Sequence, residues 1–132
     1  MEVKLAVLAD YSNVSKEGKL NLLGIFDVIR ARSFPAVYRN MQLVMILEAP
    51  SSEANTDKNV QVRLMDADGK RVFEVGAQLK LAQPPPGEMI RSNHIFDLNN
   101  IPFERPGDYA FCILVNGEEK GRVRLKLVKT KQ

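Results

Sequence analysis

Apolar and polar residues alternate with a period of two along most of the chain, which is the pattern of β-strands that bury one face. At the start of the chain, Val3, Leu5, Val7 and Ala9 would share one face of a first strand. The next segment, residues 19–29, is apolar at both parities, so it predicts a central strand that is buried on both sides.

Further segments with strand character follow, separated by residues that favour turns. They predict strands over residues 41–49, 60–65, 71–81, 89–98, 108–115 and 122–128. Residues 66–69 and Asn116-Gly117 would close two hairpins, whereas the proline run at residues 84–87 cannot join a β-ladder. A second loop is predicted between Pro102 and Gly107, and the polar residues 51–57 would form a mobile connection.

Eight short strands without a competing helical period predict one all-β domain over residues 1–132. Two layouts are open, a two-sheet antiparallel β-sandwich and a closed barrel. The connections around residues 34–40 and 82–88 are long and contain proline, whereas an up-and-down barrel needs mostly tight hairpins. The sandwich is therefore favoured, with a crossing between the sheets at residues 34–40.

Composition excludes several classes of partner. Lys and Arg number 19 against 16 Asp and Glu, and this net charge of +3 is far below that of a dedicated nucleic-acid or membrane-surface binder. Cys112 is the single cysteine, so no internal disulfide is expected. The apolar residues 5–9 are too few for a signal-peptide core, and no run approaches the ~20 residues of a membrane span. We expect a cytoplasmic protein with no nucleic-acid and no membrane partner.

The opening LADYSNVSKEGKLNLLGIFDVI and the closing IPFERPGDYAFCILVNGEEKGRVRLKLV together resemble a family of small bacterial proteins of unknown function. The resemblance implies a bacterial origin and an immunoglobulin-like sandwich, and it supplies no activity. The eight predicted strands are also compatible with a jelly-roll-like sandwich. The closing stretch is also similar to the penultimate strand of immunoglobulin-like domains, in which a tyrosine hydroxyl bonds to nearby backbone. Tyr109 would take that role, although Phe111 stands where those domains have a disulfide cysteine.

Nucleophilic catalysis finds no support in the sequence. The single histidine, His94, shares a strand face with Ser92, whereas Asp97 falls on the opposite face, so these residues cannot form a relay. Cys112 has no local base and fits a small buried thiol. With one histidine and one cysteine the chain lacks a zinc ligand set. The acidic turn Asp66 to Gly69 lacks the glycine and glutamate spacing of a calcium loop.

The sequence also gives no support for a catalytic pair of carboxylates. If residues 15–18 form a four-residue loop, Asp10 faces Leu23 and Asp27 lies four residues further along, about 13 Å away. That separation exceeds the ~5 to 9.5 Å between glycosidase carboxylates. Asp27 stands among apolar residues and would need a partner if buried. We therefore expect no enzyme, no cofactor and no metal.

The last predicted strand gathers Arg122, Arg124 and Lys126 on one solvent-facing side. One interpretation is a contact for a small or acidic ligand or for a protein partner. The other is that these charges prevent edge-to-edge pairing of an outer strand. No aromatic residue alternates with them, so base stacking is not indicated.

Two functions are consistent with these patterns. The first is a non-enzymatic protein-interaction or structural module that presents loops or a strand edge to another protein or to a second copy of itself. The alternative is a binder of a small or acidic ligand through Arg122, Arg124 and Lys126 and the adjacent loops.

Overall fold

The computed structural model describes residues 1–131, which form nine β-strands and a single 3₁₀ turn at Ser51–Glu53. The strands alternate inward and outward side chains, as the period of two predicts. Their bounds are β1 Glu2–Val14, β2 Leu20–Phe26, β3 Val28–Ala31, β4 Ala36–Ala49, β5 Asp57–Met65, β6 Arg71–Lys80, β7 Ile90–Phe103, β8 Gly107–Val115 and β9 Glu118–Lys129.

The strands form two sheets, which confirms the predicted β-sandwich. The first sheet has the order β2-β1-β4-β7 and the second the order β3-β9-β8-β5-β6. Neighbouring strands are antiparallel except β3 and β9, which are parallel. Nine strands replace the expected eight because residues 19–29 form two of them.

The core lies between the sheets. In the first sheet it is built on β4, where Leu43, Met45 and Leu47 are fully buried and alternate with residues on the outer side. In the second sheet it is built on β5 and β8, from which Leu64 and Phe111 point inward. The central strands of both sheets therefore supply the apolar surface whose burial holds the layers together.

The prediction of one central strand over residues 19–29 is wrong. The segment divides at Asp27 into β2, an edge strand of the first sheet, and β3, an edge strand of the second. Phe26 and Ile29 both reach the core, and the change of sheet between them shifts the inward parity. Apolar residues at both parities therefore reflect a crossing between layers and not burial on two faces.

The inward face of β1 also differs from the prediction. The pairing of β1 with β4 shifts between Val3 and Leu5, so that Val3, Ala6 and Leu8 contact the core. A local irregularity of this kind exchanges the two faces of a strand, which alternation alone cannot reveal.

Residues 10–24 form an arm, in which β1 and β2 pair with each other but no longer with the rest of the first sheet. Pairing between β1 and β4 ends at Ala9 and Gln42, whereas β1 and β2 stay paired to the tip of their hairpin. Ser12 Oγ then donates to Gln42 Oε1 at 2.5 Å. Asn93 Nδ2 on β7 donates to the carbonyl oxygen of Gly18 at 3.3 Å. Because Gln42 alternates with core residues of β4, the arm covers the outer side of this sheet.

Gly24 allows the arm to bend. It lies between the pairs Ala9–Ile25 and Tyr11–Leu23, opposite Asp10, and its φ is +72°. A Cβ atom at this position would lie 2.5 Å from Asp10 Oδ2. Glycine is favoured here because it adopts positive φ without a steric cost. The hairpin loop spans residues 15–19, so the expected pairing of Asp10 with Leu23 is wrong by one residue.

Two predicted connections are shorter than expected. β4 begins at Ala36, so the link from the second sheet to the first runs only through residues 32–35, although it does cross between the sheets. β7 continues to Phe103 and includes Pro102, which was expected to border a loop. Proline fits there because β7 is an edge strand and its outer side needs no donor.

The predicted turns are confirmed at two hairpins. Residues 66–69 close β5 onto β6, and the Asp66 carboxylate accepts bonds from the backbone N–H groups of Asp68 and Lys70. Asn116 and Gly117 close β8 onto β9 with φ values of +50° and +83°, as a two-residue hairpin turn requires.

Tyr109 makes the contact that the resemblance to immunoglobulin-like domains implied. Its hydroxyl donates to the carbonyl oxygen of Arg105 at 2.7 Å, and the residue is 6% exposed. The ring packs edge-on against Phe103 with centroids 5.0 Å apart. This bond fastens the loop before β8 to the core.

Replacing Tyr109 by phenylalanine should lower the free energy of unfolding by about 1 kcal/mol, because the partly buried bond to the Arg105 carbonyl loses its donor. Urea denaturation measures the change. Tyr38→Phe is the matched control, since the Tyr38 ring packs at a tilt against Phe26 and its hydroxyl has no hydrogen-bond partner within residues 1–131. Equal losses in both variants would contradict a specific role for the Tyr109 hydroxyl.

Candidate functional site

The basic row consists of Arg122, Arg124 and Lys126, which all point to solvent from the outer face of the second sheet. β9 is not an outer strand, because it lies between β8 and β3. However, β3 pairs only with residues 126–129 of β9. The basic row can therefore prevent edge-to-edge pairing only along the part of β9 that has no β3 partner. That part includes both arginines of the row.

The three cations differ in their surroundings. Arg122 is paired with Glu119 at 3.1 Å, and this contact lowers the pKa of the Glu119 carboxyl. Lys126 lies directly across from Asp108 on β8. Neither Arg124 nor Lys126 has a carboxylate within 4.0 Å in the described part of the chain. Arg124 is opposite Ala110, so it also has no acidic cross-strand neighbour.

A surface depression of about 620 Å³ lies beside the basic row. Its floor includes Ala110, which stands between Met65 on β5 and Arg124 on β9 in the cross-strand register. The small side chain of Ala110 leaves space between its two larger neighbours. The β5–β6 turn borders one side of the depression, and Asp27 and Val28 border the other.

The lining of this depression is of mixed charge. Asp27, Asp66 and Asp108 contribute to it together with the basic row. Asp66 is engaged in its own turn and lies 3.8 Å from Arg105. Asp27 and Asp108 are exposed. Carboxylates and cations on one rim suit a ligand that carries both an anionic group and hydrogen-bond donors.

The residues considered for catalysis do not converge. His94 is half-buried on β7, where its ring packs edge-on against Phe96 with centroids 4.4 Å apart. Burial lowers the pKa of the His94 imidazole. Asp97 is exposed and accepts a bond from Gln42 Nε2 at 2.7 Å, on the opposite side of the strand, as alternation predicts.

The other candidate groups are equally dispersed. Asp27 is exposed, so the partner expected for a buried carboxylate is not needed, and its backbone oxygen accepts a bond from the Lys126 N–H. Cys112 is buried, and desolvation raises the pKa of its thiol. Within residues 1–131, no three or more His, Cys, Asp or Glu side chains are grouped to hold a metal ion. The same residues include no helix with the length and apolar character of a membrane span.

A second surface feature, which the sequence interpretation missed, is the free edge of β2. The edge strands are β2 and β7 in the first sheet and β3 and β6 in the second. The strands β3, β6 and β7 each contain charged residues, whereas β2 reads LNLLGIF and contains neither a charge nor a proline. It is the least protected edge of the described fold.

Apolar side chains surround this edge. Leu23 is 67% exposed and Ile25 is 60% exposed, and Tyr11, the direct partner of Leu23 on β1, is 54% exposed. We call Tyr11, Leu23 and Ile25 the β2 edge patch. In the sequence, the uninterrupted neutral segment is the only sign of this edge, and its apolar residues at both parities predict burial instead.

Residues 4–128 match the family of unknown function DUF6941. The chain belongs to this family. No protein with a curated description matches it. Among solved structures, it is similar to the Pseudomonas fluorescens alkylpurine DNA glycosylase AlkC bound to DNA containing an abasic site analogue. The identity is 16%, over 93% of this chain and 30% of that chain, with a TM-score of 0.49.

The stability of this DUF6941 protein should fall as the pH decreases from about 7.5 to about 5.5. Burial holds the His94 pKa below its usual 6.5, so the unfolded chain takes up the proton more readily than the folded chain does. Melting temperatures measured across this range test the expectation. His94→Gln should flatten the dependence, because the chain has no other histidine. An unchanged slope in that variant would contradict the assignment.

Proposed function

We propose that this protein is a non-enzymatic interaction module that associates with a second copy of itself through the free edge of β2. The observation that carries the proposal is the composition of β2, the one edge strand of the described fold without a charge or a proline.

An open strand edge offers backbone groups that pair readily with another strand. Within the described chain β2 forms ladder bonds only with β1, so the N–H and C=O groups on its other side point away from the sheet. Another extended segment placed there would satisfy them and would extend the sheet. Leu23 and Ile25 would become partly buried in the same step.

A second copy of β2 is the occupant that the sequence of the strand favours. In an antiparallel pair around a two-fold axis, each residue of β2 faces another residue of the same strand. Charged strands oppose like charges in some of these registers, which is destabilising. The segment LNLLGIF brings no charges together in any register. The Tyr11 side chain beside Leu23 would widen the apolar contact.

Sedimentation velocity over a wide concentration range should therefore show a reversible increase from 14.8 kDa towards twice that mass. Leu23→Lys should keep the protein monomeric throughout this range, because it places like charges near the axis and an ammonium group in the apolar contact.

Val37→Lys is the matched control. Val37 is 60% exposed, so the change in charge and apolar area is comparable, but it lies on β4, where it pairs with Pro102 of β7 and takes no part in the free edge of β2. This variant should dimerise like the parent chain. A parent chain that stays monomeric at the highest concentration would contradict the proposal, as would a Leu23→Lys variant that dimerises normally. A different partner bound at this edge, with no self-association, would also contradict it.

A further inference from the structure

We infer that the depression beside the basic row is a binding site for a small anionic ligand that also donates hydrogen bonds, such as a phosphorylated polyol. The site lies on the outer face of the second sheet, and the inference does not depend on association through β2 in the first sheet.

Arg124 is the group that would hold the anion. Its neighbours two residues away on the same face lie about 6.8 Å from it along β9. Of these, Arg122 is occupied by Glu119, and Lys126 is opposed by Asp108. Arg124 has no carboxylate within 4.0 Å among residues 1–131. Its planar guanidinium can donate two parallel bonds to a phosphate or carboxylate group.

The carboxylates of the rim determine which anions fit. Asp27 and Asp108 are exposed and accept hydrogen bonds only, so they favour a ligand with hydroxyl or amino groups next to its anionic group. They would repel a densely charged polyanion. The apolar floor at Ala110 and Met65 would accommodate a carbon skeleton between the two kinds of polar contact.

The size of the depression agrees with a small molecule. Pockets for small ligands have volumes of roughly 300 to 1,000 Å³, and this depression has about 620 Å³. Its three sides come from the β5–β6 turn, the start of β3 and the face of β9, so that residues distant in sequence meet around it.

Binding of ribose 5-phosphate and of inorganic phosphate, measured by isothermal titration calorimetry at low ionic strength, tests this inference. Ribose 5-phosphate should bind saturably and about tenfold more tightly than phosphate, because its hydroxyl groups reach the carboxylates. Arg124→Gln should weaken both ligands by about tenfold or more. Arg39→Gln is the control, since Arg39 is an exposed arginine on β4 in the other sheet.

Asp108→Asn separates the two parts of the site. It should weaken ribose 5-phosphate by removing a charged acceptor, and it should strengthen phosphate by removing a like charge. Melting temperatures of all variants identify any loss of folding. The inference is overturned if neither probe binds saturably, if Arg39→Gln weakens binding as much as Arg124→Gln, or if the parent chain binds both probes equally.

Discussion

The crossing of the chain between the two sheets at Asp27 is the constraint on which the surface of this protein depends. β2 and β3 are continuous in sequence but form hydrogen bonds in different sheets, so each becomes an edge strand. The crossing leaves β2 open on its outer side. Because β3 covers only residues 126–129 of β9, it also leaves Arg122 and Arg124 on an uncovered stretch and places Asp27 at the rim of the depression. Both candidate sites arise from this one local arrangement.

Three of the four sheet edges carry residues that oppose pairing with another strand. Backbone N–H and C=O groups must find partners, and a strand at an edge offers them to any extended segment. Charged residues on β3, β6 and β7 and Pro102 on β7 make those edges poor templates. β2 has no such protection, and burial of a side chain such as Leu23 or Ile25 contributes about 1.5–3 kcal/mol when it is complete. Association itself costs several kcal/mol, so a weak and reversible dimer is the outcome that this balance favours.

The period of two and the turn residues were sufficient to predict the sandwich, because alternation and turns such as Asn116-Gly117 act locally. They could not reveal the change of sheet at Asp27, since apolar residues at both parities also describe a central strand. The shift after Val3 and the bend at Gly24 depend on tertiary packing. The basic row could be predicted from alternation on β9, whereas the depression beside it could not. It requires the register that places Ala110 between Met65 and Arg124, which belong to three different strands.

Hydrogen–deuterium exchange of the β2 amides, followed residue by residue at increasing protein concentration, distinguishes an edge that associates from one that stays free. If β2 is an open edge that pairs with its own copy, exchange in Leu20–Phe26 should slow as the concentration rises, while exchange along the protected edge of β7 stays constant. Exchange in β2 that remains equally fast at every concentration would show that this edge is not an association surface.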